Sequence, residues 1–381
     1  MQQQLENSID QIIDQIQTGQ IQFPLIKQQI ADPQILFNNL KKYIPTISYQ
    51  SFRYKNIQWK DPHYEKIKYK EKQYVSFVTQ HNDYEQIDRL VDYYNEIPRL
   101  TAKRIDKNYS VLDAWSNTEL LRRWLHTQFQ KHPDFEFSAY EWREELWKRS
   151  LECNAFKASL AKSVFHSFKA KRVLDFSAGW GDRLLGALAQ QGIDMYLGFD
   201  PNPSLEKGYN EIIQHFAPHD KHNSYQIRIE PFETAEIDMS ETFDLVFTSP
   251  PYFNFEIYTK EDETQSIQKY PTHSEWIVQF LFRSLYKSWC HLQLNGNMII
   301  HLSDVYKTHY IESMTLFVLG WCNGSRFDGS IASIGDSSKP RPMWIYNKCI
   351  NNKTIINYSS RKNMQQHYPE MYERIMNSTW L

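Results

Sequence analysis

The sequence predicts an α/β fold with a doubly wound, mainly parallel sheet that follows a mainly helical region. From Lys171 onward, short apolar runs alternate with helix-like segments, as in parallel sheets whose crossover connections are helices. A glycine turn follows the first apolar run, and two prolines end the fourth. We therefore expect a helical region over residues 1–165, an α/β domain over 166–350 and a C-terminal extension over 351–381.

The composition is that of a globular protein and excludes several classes of function. Hydrophobic residues make up 41% of the 381 positions, which is enough for a sizeable core. The 12 glycines are too few for a repeat array or a low-complexity chain. A net charge of −2 gives no overall attraction to polyanions, so any nucleic-acid groove has to be local.

The cysteines and the N-terminal segment indicate where the protein works. Cys153, Cys290, Cys322 and Cys349 are not at zinc-ligand spacing, so we expect neither a metal site nor a disulfide framework. The first residues lack the apolar core of a signal peptide, and no stretch has the length of a membrane span. We expect a soluble protein of the cytoplasm or nucleus, without membrane contact.

The first region is predicted to be helical and crowded with aromatic residues. Apolar residues recur at helical spacing in segments 6–17, 84–97, 118–130 and 138–152. In residues 52–74, Lys and Arg outnumber Asp and Glu and alternate with aromatic rings. This pattern suits either a nucleic-acid groove or a solvated face over a small aromatic core. We expect this half to bind substrate or a protein partner.

The second region reads as strands and helices in alternation. The strands predicted in chain order are 172–176, 195–200, 224–233, 243–250 and 296–304, followed by an antiparallel pair, 326–333 and 341–348. The helices predicted between them are 183–192, 204–217, 274–292 and 310–322. Together they predict a Rossmann-like sheet of seven strands.

The glycine turn "SAGWGD" stands where an open α/β sheet binds its ligand. Gly179 and Gly181 lack side chains, so a ligand can lie against the backbone there. Asp200 ends the second strand, where an acid accepts hydrogen bonds from the two hydroxyls of a ribose. The next glycine, Gly186, comes too late for the dinucleotide pattern G-x-G-x-x-G. The alternative is a tight turn with Asp200 as a helix cap.

The sequence "TSPPYF" ends the fourth strand with rigid backbone and unpaired carbonyls. The exocyclic amine of adenine or cytosine is a poor nucleophile because its lone pair is delocalised into the ring. The Ser249 hydroxyl and the Pro250 carbonyl, fixed by Pro251, are acceptors that would draw this nitrogen toward tetrahedral geometry. Tyr252 would stack on a flipped base. The alternative is a proline-stopped strand that leads into a loop.

Together, "DFSAGWGDR" and "TSPPYF" resemble the class I S-adenosylmethionine-dependent amino-methyltransferases over roughly residues 165–350. The Ser-Pro-Pro-Tyr form is similar to that of DNA enzymes that make N4-methylcytosine or N6-methyladenine. The resemblance implies an enzyme with S-adenosylmethionine as cofactor and a nucleic-acid substrate, DNA being favoured over RNA. It places Ser249, Pro250, Pro251 and Tyr252 at the catalytic centre, and the cofactor on Asp175, Ser177, Gly179, Gly181, Asp200, and Phe232 or Glu233. Bulky Trp180 between the glycines departs from the commonest pattern.

Other interpretations stay open from the sequence. The nearest alternative is the same chemistry on RNA, with which the tetrapeptide is also compatible. Protein glutamine methylation is a further alternative, although its tetrapeptide usually has Asn in place of Ser249. An inactive scaffold that keeps the fold is the non-enzymatic alternative. Several further residues have both a site role and a structural role open to them. These are Gln265 (base recognition or a polar loop), Glu256 and Tyr258 (pocket or surface helix), Asp304 (site or helix cap) and His301, which we predict to be a core histidine.

Overall fold

The computed structural model describes most of the chain. The described ranges are residues 2–45, 47–49, 75–78, 86–105, 109–131, 138–150, 152–259, 263–305, 308–334, 341–349 and 354–381. The basic and aromatic stretch 52–74 lies outside them, so its role stays a prediction. Among the helices of these ranges, none combines the length and the apolar character that crossing a membrane requires.

One large sheet contains nine of the strands within the described ranges. The strands are β1 (Ile47–Tyr49), β2 (Val75–Val78), β3 (Lys103–Arg104), β4 (Arg172–Asp175), β5 (Met195–Phe199), β6 (Tyr225–Arg228), β7 (Phe243–Thr248), β8 (Glu256–Ile257), β9 (Leu292–His301), β10 (Ser325–Ile334) and β11 (Arg341–Lys348). The sheet order is β1-β2-β10-β11-β9-β7-β4-β5-β6, and β3 pairs with β8 separately. The predicted α/β class with a mainly parallel sheet is confirmed.

Helices connect and cover these strands. The α-helices are α1 (Gln2–Gln17), α2 (Ile26–Gln29), α3 (Pro33–Lys42), α4 (Asp92–Thr101), α5 (Val111–Ser116), α6 (Thr118–Lys131), α7 (Ala139–Ser150), α8 (Ala158–Ser167), α9 (Asp182–Ala189), α10 (Glu206–Phe216), α11 (Ser266–Lys269), α12 (His273–Glu275), α13 (Arg283–His291), α14 (Tyr310–Trp321), α15 (Thr354–His367) and α16 (Pro369–Met376). A π-helical segment, Trp276–Phe282, joins α12 to α13, and short 3₁₀ turns occupy Ile87–Arg89, Pro203–Leu205 and His219–Ser224.

The strand order creates a switch point beside β4. β4 pairs in parallel with β5 on one side and with β7 on the other. The chain runs outward from β4 through β5 to β6, and then returns to continue through β7 and β9 on the opposite side. Ligands of open α/β sheets bind in the crevice at the carboxyl ends of the strands where this reversal occurs. The ends of β4 and β7 are therefore the place to look for a site.

The antiparallel pair at the other side of the sheet is confirmed, but the sheet does not stop there. β11 is antiparallel to both β9 and β10. β10 then pairs in parallel with β2, which pairs with β1. The prediction of seven strands was too low, because two strands from the predicted helical region cover the edge of β10. An uncovered edge strand would expose a row of unpaired backbone groups.

The chain forms two compact units. The first comprises residues 1–33, 92–154 and 254–260, and the second comprises 34–91, 155–253 and 261–381. The segment 1–165 therefore contributes to both units. The second unit contains the large sheet.

The first unit has its own aromatic core and a buried ionic network. Trp142 packs against Trp115 and Trp124, with ring centroids 4.9 Å and 4.5 Å apart. Arg143 forms an ion pair with buried Glu96 at 2.5 Å and donates to the Pro24 carbonyl at 3.0 Å. Burial raises the pKa of Glu96 to about 7, against the opposing effect of Arg143. The positive charge of Arg143 thus offsets the buried negative charge of Glu96 within this unit.

The C-terminal helices belong to the core of the sheet unit. Met364 in α15 and Ile375 in α16 are fully buried in the same hydrophobic cluster as β4 and β7. Tyr368, between the two helices, donates a hydrogen bond of 2.5 Å to Glu312 in α14. The segment predicted as an extension therefore contributes apolar burial that stabilises the sheet unit.

Candidate functional site

The glycine turn after β4 has a backbone that only glycine adopts easily. Gly179 has φ of 62° and Gly181 has φ of 106°, both in the left-handed region. A Cβ placed on Gly179 would meet its nearest atom only at 3.8 Å. Gly181 stands immediately before α9, whose first amides have no partner within the helix. The turn therefore presents backbone without side chains at the start of a helix, the arrangement that we expect of a cofactor cradle.

Asp175 is buried beneath this turn. It accepts hydrogen bonds from Arg183 Nε at 2.7 Å, from the Tyr196 hydroxyl at 2.7 Å and from the Ser177 amide at 3.3 Å. Arg183 also donates to the Ser177 carbonyl. Burial and the neighbouring carboxylate raise the pKa of Tyr196 well above its ordinary value. Asp175 and Ser177 therefore brace the turn from below, and their predicted contact with the cofactor stays a prediction.

Asp200 lies at the end of β5, on one side of the turn. Its two carboxylate oxygens accept hydrogen bonds from the Gly179 amide at 2.9 Å and the Asn202 amide at 3.0 Å. Burial raises the pKa of Asp200 to about 6, although the two amides oppose this effect. Since each carboxylate oxygen has two acceptor positions, one on each remains for another donor. Asp200 as a whole residue is partly exposed.

The two residues predicted to flank an adenine, Phe232 and Glu233, lie in the segment after β6 and have different surroundings. Phe232 is 1% exposed and packs between Phe176 and Phe199, with ring centroids 5.5 Å and 5.0 Å away. Glu233 is also buried, and it accepts hydrogen bonds from Lys269 and Tyr270 at 3.0 Å and 3.2 Å. Phe232 is thus a core residue, while Glu233 links the segment after β6 to α11. Flanking of an adenine by either stays a prediction.

The tetrapeptide Ser249–Tyr252 follows the last residue of β7, on the other side of the turn. Pro250 is buried, whereas Ser249, Pro251 and Tyr252 are partly exposed. Tyr252 also packs against the hydrophobic cluster of the sheet unit. Phe253 then adopts φ of 52°, a left-handed conformation that is uncommon for a bulky residue. The strand ends at the prolines as predicted, and the backbone turns sharply after them.

His301, at the end of β9, is the residue that sequence reasoning placed in the core. Its Nδ1 lies 3.0 Å from Ser249 Oγ, and its carbonyl oxygen accepts from the same hydroxyl at 3.3 Å. The side chain is partly exposed. No sequence signal marks this pair, because the contact depends on the pairing of two strands 52 positions apart. His301 therefore belongs with the tetrapeptide.

The remaining candidate residues have structural partners. Asp304 accepts a hydrogen bond from the Ile311 amide at 3.2 Å, near the start of α14, which fits the capping role. Gln265 is buried immediately before α11. Glu256 accepts from the Tyr258 hydroxyl at 2.8 Å and lies in β8, so the surface helix, one of the two alternatives for this position, is wrong.

The strand order therefore gathers the main candidates at one edge of the sheet. The glycine turn follows β4, Asp200 follows β5, and Ser249–Tyr252 follow β7, with β4 between the other two strands. In the described part of the chain, no group of three or more His, Cys, Asp or Glu side chains is arranged to hold a metal ion. The candidate site consists of a glycine turn, a carboxylate and a set of hydrogen-bond acceptors.

Comparisons with known proteins leave the family of this chain open. No protein-family model matches the sequence, and no curated protein does. Among solved structures, TrmN from Thermus thermophilus is 12% identical and matches 51% of this chain and 50% of its own, with a TM-score of 0.34. An rRNA methylase from Streptococcus thermophilus is 11% identical over 49% of this chain and 96% of its own, with a TM-score of 0.34.

The N-methyltransferase NodS from Bradyrhizobium japonicum WM9 is 7% identical over 51% of this chain and 94% of its own, also with a TM-score of 0.34. The chain thus spans about half the length of TrmN. What this protein does has to be inferred from its own residues.

Proposed function

We propose that the protein transfers a methyl group from S-adenosylmethionine to the exocyclic amino group of a nucleobase, cytosine N4 or adenine N6, in DNA. The observation that carries this proposal is the position of Ser249–Tyr252 at the end of β7, adjacent to the strand that bears the glycine turn. A hydroxyl, a proline carbonyl and an aromatic ring thus follow a strand at the switch point, where a ligand is expected.

The residues of the turn fit the proposed cofactor. Gly179, with φ of 62°, presents backbone without a side chain, and Asp200 keeps acceptor positions for the two hydroxyls of a ribose. S-adenosylmethionine would supply an electrophilic methyl group on its sulfonium. In the proposed transfer the amino nitrogen would form the new bond to the methyl group, the electron pair of the broken bond would stay on the sulfonium sulfur, and an amino proton would leave to water.

The tetrapeptide would activate the amino group without a covalent intermediate. Ser249 Oγ and the Pro250 carbonyl would accept its two N–H hydrogens, so that the lone pair is no longer delocalised into the ring. The prolines fix the direction of these acceptors. Tyr252 would stack on the flipped base. The Ser-Pro-Pro-Tyr form favours DNA as the substrate, and the helical region supplies a surface for DNA or a protein partner.

The test is product identification with labelled S-adenosylmethionine. The full chain is incubated separately with DNA, RNA and a protein mixture, and each substrate is digested and its methylated residue identified. Labelled N4-methylcytosine or N6-methyladenine from DNA is expected, with the rate of transfer lowered about 10²–10³-fold in Ser249→Ala while S-adenosylmethionine still binds. Label in RNA or in protein glutamine alone would replace DNA as the substrate. Cofactor binding without any transfer would indicate a scaffold.

A further inference from the structure

His301 lies beside Ser249 because of the register between two parallel strands. β7 and β9 pair Thr248 with Ile300. The next residues along the two strands are Ser249 and His301, and residues at equivalent positions of neighbouring strands direct their side chains to the same face. The contact of 3.0 Å between Ser249 Oγ and His301 Nδ1 follows from this register. The contact is therefore set by the register of the sheet, one residue beyond the last pair of β7 and β9.

The surroundings keep the imidazole of His301 neutral. Burial, together with the nearby cations Arg341 and Arg183, lowers the pKa of His301 to about 3. The ring packs edge-on against Phe156, with centroids 5.2 Å apart and planes at 82°. A neutral imidazole has one nitrogen without a proton, which accepts a hydrogen bond. His301 Nδ1 is thus suited to accept from the Ser249 hydroxyl.

The orientation of the Ser249 hydroxyl decides what Ser249 offers a substrate. A serine hydroxyl carries one hydrogen and two acceptor lone pairs. The two acceptors that the structure provides for this hydrogen are Nδ1 of His301 and its carbonyl oxygen, at 3.0 Å and 3.3 Å. Both lie on the β9 side. A hydrogen held there leaves the lone pairs of Ser249 for donors on the other sides.

We propose that His301 is a positioning residue that holds the Ser249 hydroxyl as an acceptor for an N–H of the substrate amino group. This inference rests on the proposed function and deepens it. Ser249 donates its hydrogen to His301 Nδ1, whose own proton is on Nε2, and a serine lone pair faces the amino group. Without the imidazole, only the more distant backbone carbonyl of residue 301 is left to hold the hydroxyl hydrogen. The hydroxyl then rotates more freely and spends part of its time with its hydrogen toward the substrate, where it cannot accept.

The kinetic test compares His301→Leu with His301→Asn, whose amide oxygen can accept in place of Nδ1. We expect His301→Leu to lower kcat by about tenfold, the value of one lost hydrogen bond. His301→Asn should recover most of this loss, and affinity for S-adenosylmethionine should be unchanged in both. In a Ser249→Ala background, His301→Leu should cause no further loss. An equal tenfold loss in that background, or no rescue by Asn, would overturn the proposal.

A second measurement requires neither turnover nor a substitution of His301. Nitrogen-15 NMR of the histidine rings reports which nitrogen of His301 is protonated. We expect an unprotonated Nδ1 in the wild-type protein, with a resonance that shifts in Ser249→Ala. A protonated Nδ1 would contradict the inference even where methyl transfer is active. If no substrate is methylated, the proposed function fails, and the NMR result still decides whether Ser249 donates to His301.

Discussion

At the scale of single residues, Asp200 connects two segments of the candidate site through its carboxylate. Its carboxylate accepts from the Gly179 and Asn202 amides, which joins the glycine turn to the end of β5. Its place at the end of a strand could be predicted from the sequence, because an acid after an apolar run is visible as a pattern. The partnership of His301 with Ser249 was not visible, since it arises only when β7 and β9 pair in one particular register.

The raised pKa of Asp200 predicts a pH dependence of cofactor binding. In the proposed site only the ionised carboxylate would accept from both ribose hydroxyls, and burial raises the pKa of Asp200 to about 6. As the pH falls from about 7.5 to about 5, this form becomes scarce, so affinity for S-adenosylmethionine should fall about tenfold. Calorimetry at the two pH values measures the effect. Asp200→Asn is the control, which should bind weakly at both; the same pH dependence in this variant would point to another group.

Tyr252 allows a separate prediction about substrate binding. Tyr252→Ala removes the proposed stacking platform, which contributes about 1–3 kcal/mol per base. The loss should appear as a higher KM for nucleic acid with unchanged affinity for S-adenosylmethionine. Tyr252→Phe keeps the ring and should retain most of the activity. If Tyr252→Phe is as impaired as Tyr252→Ala, the hydroxyl and not the ring face is what the substrate needs.

At the scale of elements, the patterns of apolar residues in the second region predicted which segments form strands better than where those strands end. The third strand was predicted to run to residue 233, but β6 ends at Arg228, because Pro231 begins a turn in which the Ala235 amide bonds the Pro231 carbonyl at 3.0 Å. That turn is fixed further by Lys287, which donates to the Phe232 carbonyl at 2.8 Å. Such tertiary contacts leave no trace in a local pattern.

The glycine turn can be tested against a glycine of similar conformation elsewhere. Gly181 has φ of 106°, and Gly192, beyond the end of α9, has φ of 91° with no atom within 4 Å of the position that a Cβ would take. Alanine at either position should cost about 1–2 kcal/mol of unfolding free energy through backbone strain, and at Gly181 its Cβ would in addition come within 3.3 Å of Ile212 Cδ1. Only Gly181→Ala should also weaken S-adenosylmethionine binding. Denaturation and calorimetry on both variants separate the two effects; equal affinities would remove the turn from the cofactor site.

At the scale of the whole molecule, the sequence motifs for the cofactor all follow Lys171, which suggests that the preceding residues are dispensable for binding it. The structure changes this expectation. Lys162 Nζ donates to the carbonyls of Leu40 and Tyr43, at and just beyond the end of α3, at 2.9 Å and 2.6 Å. Phe37 stacks on Phe216 with centroids 4.1 Å apart. Residues 34–45 are therefore part of the sheet unit.

Two truncations test this assignment. Removal of residues 1–33 takes segments of the first unit only, so S-adenosylmethionine should still bind. Removal of residues 1–110 also takes α3, β1 and β2, and should lower the melting temperature of the sheet unit and abolish binding. Thermal denaturation and calorimetry on both proteins provide the comparison. If cofactor affinity is retained after the longer truncation, then α3, β1 and β2 are not needed for the fold of the cofactor site.

The pairing of β2 with β10 has a consequence for synthesis of the chain. Val78 pairs with Ile334, which the ribosome adds roughly 250 residues later, on the order of 10–50 s at about 5–20 residues per second. During this delay β2 has no partner in β10, and the nascent chain carries a strand that can pair with other molecules. Slower translation lengthens the exposure. Yield of folded protein should therefore depend on chaperones that shield unpaired strands until β10 emerges.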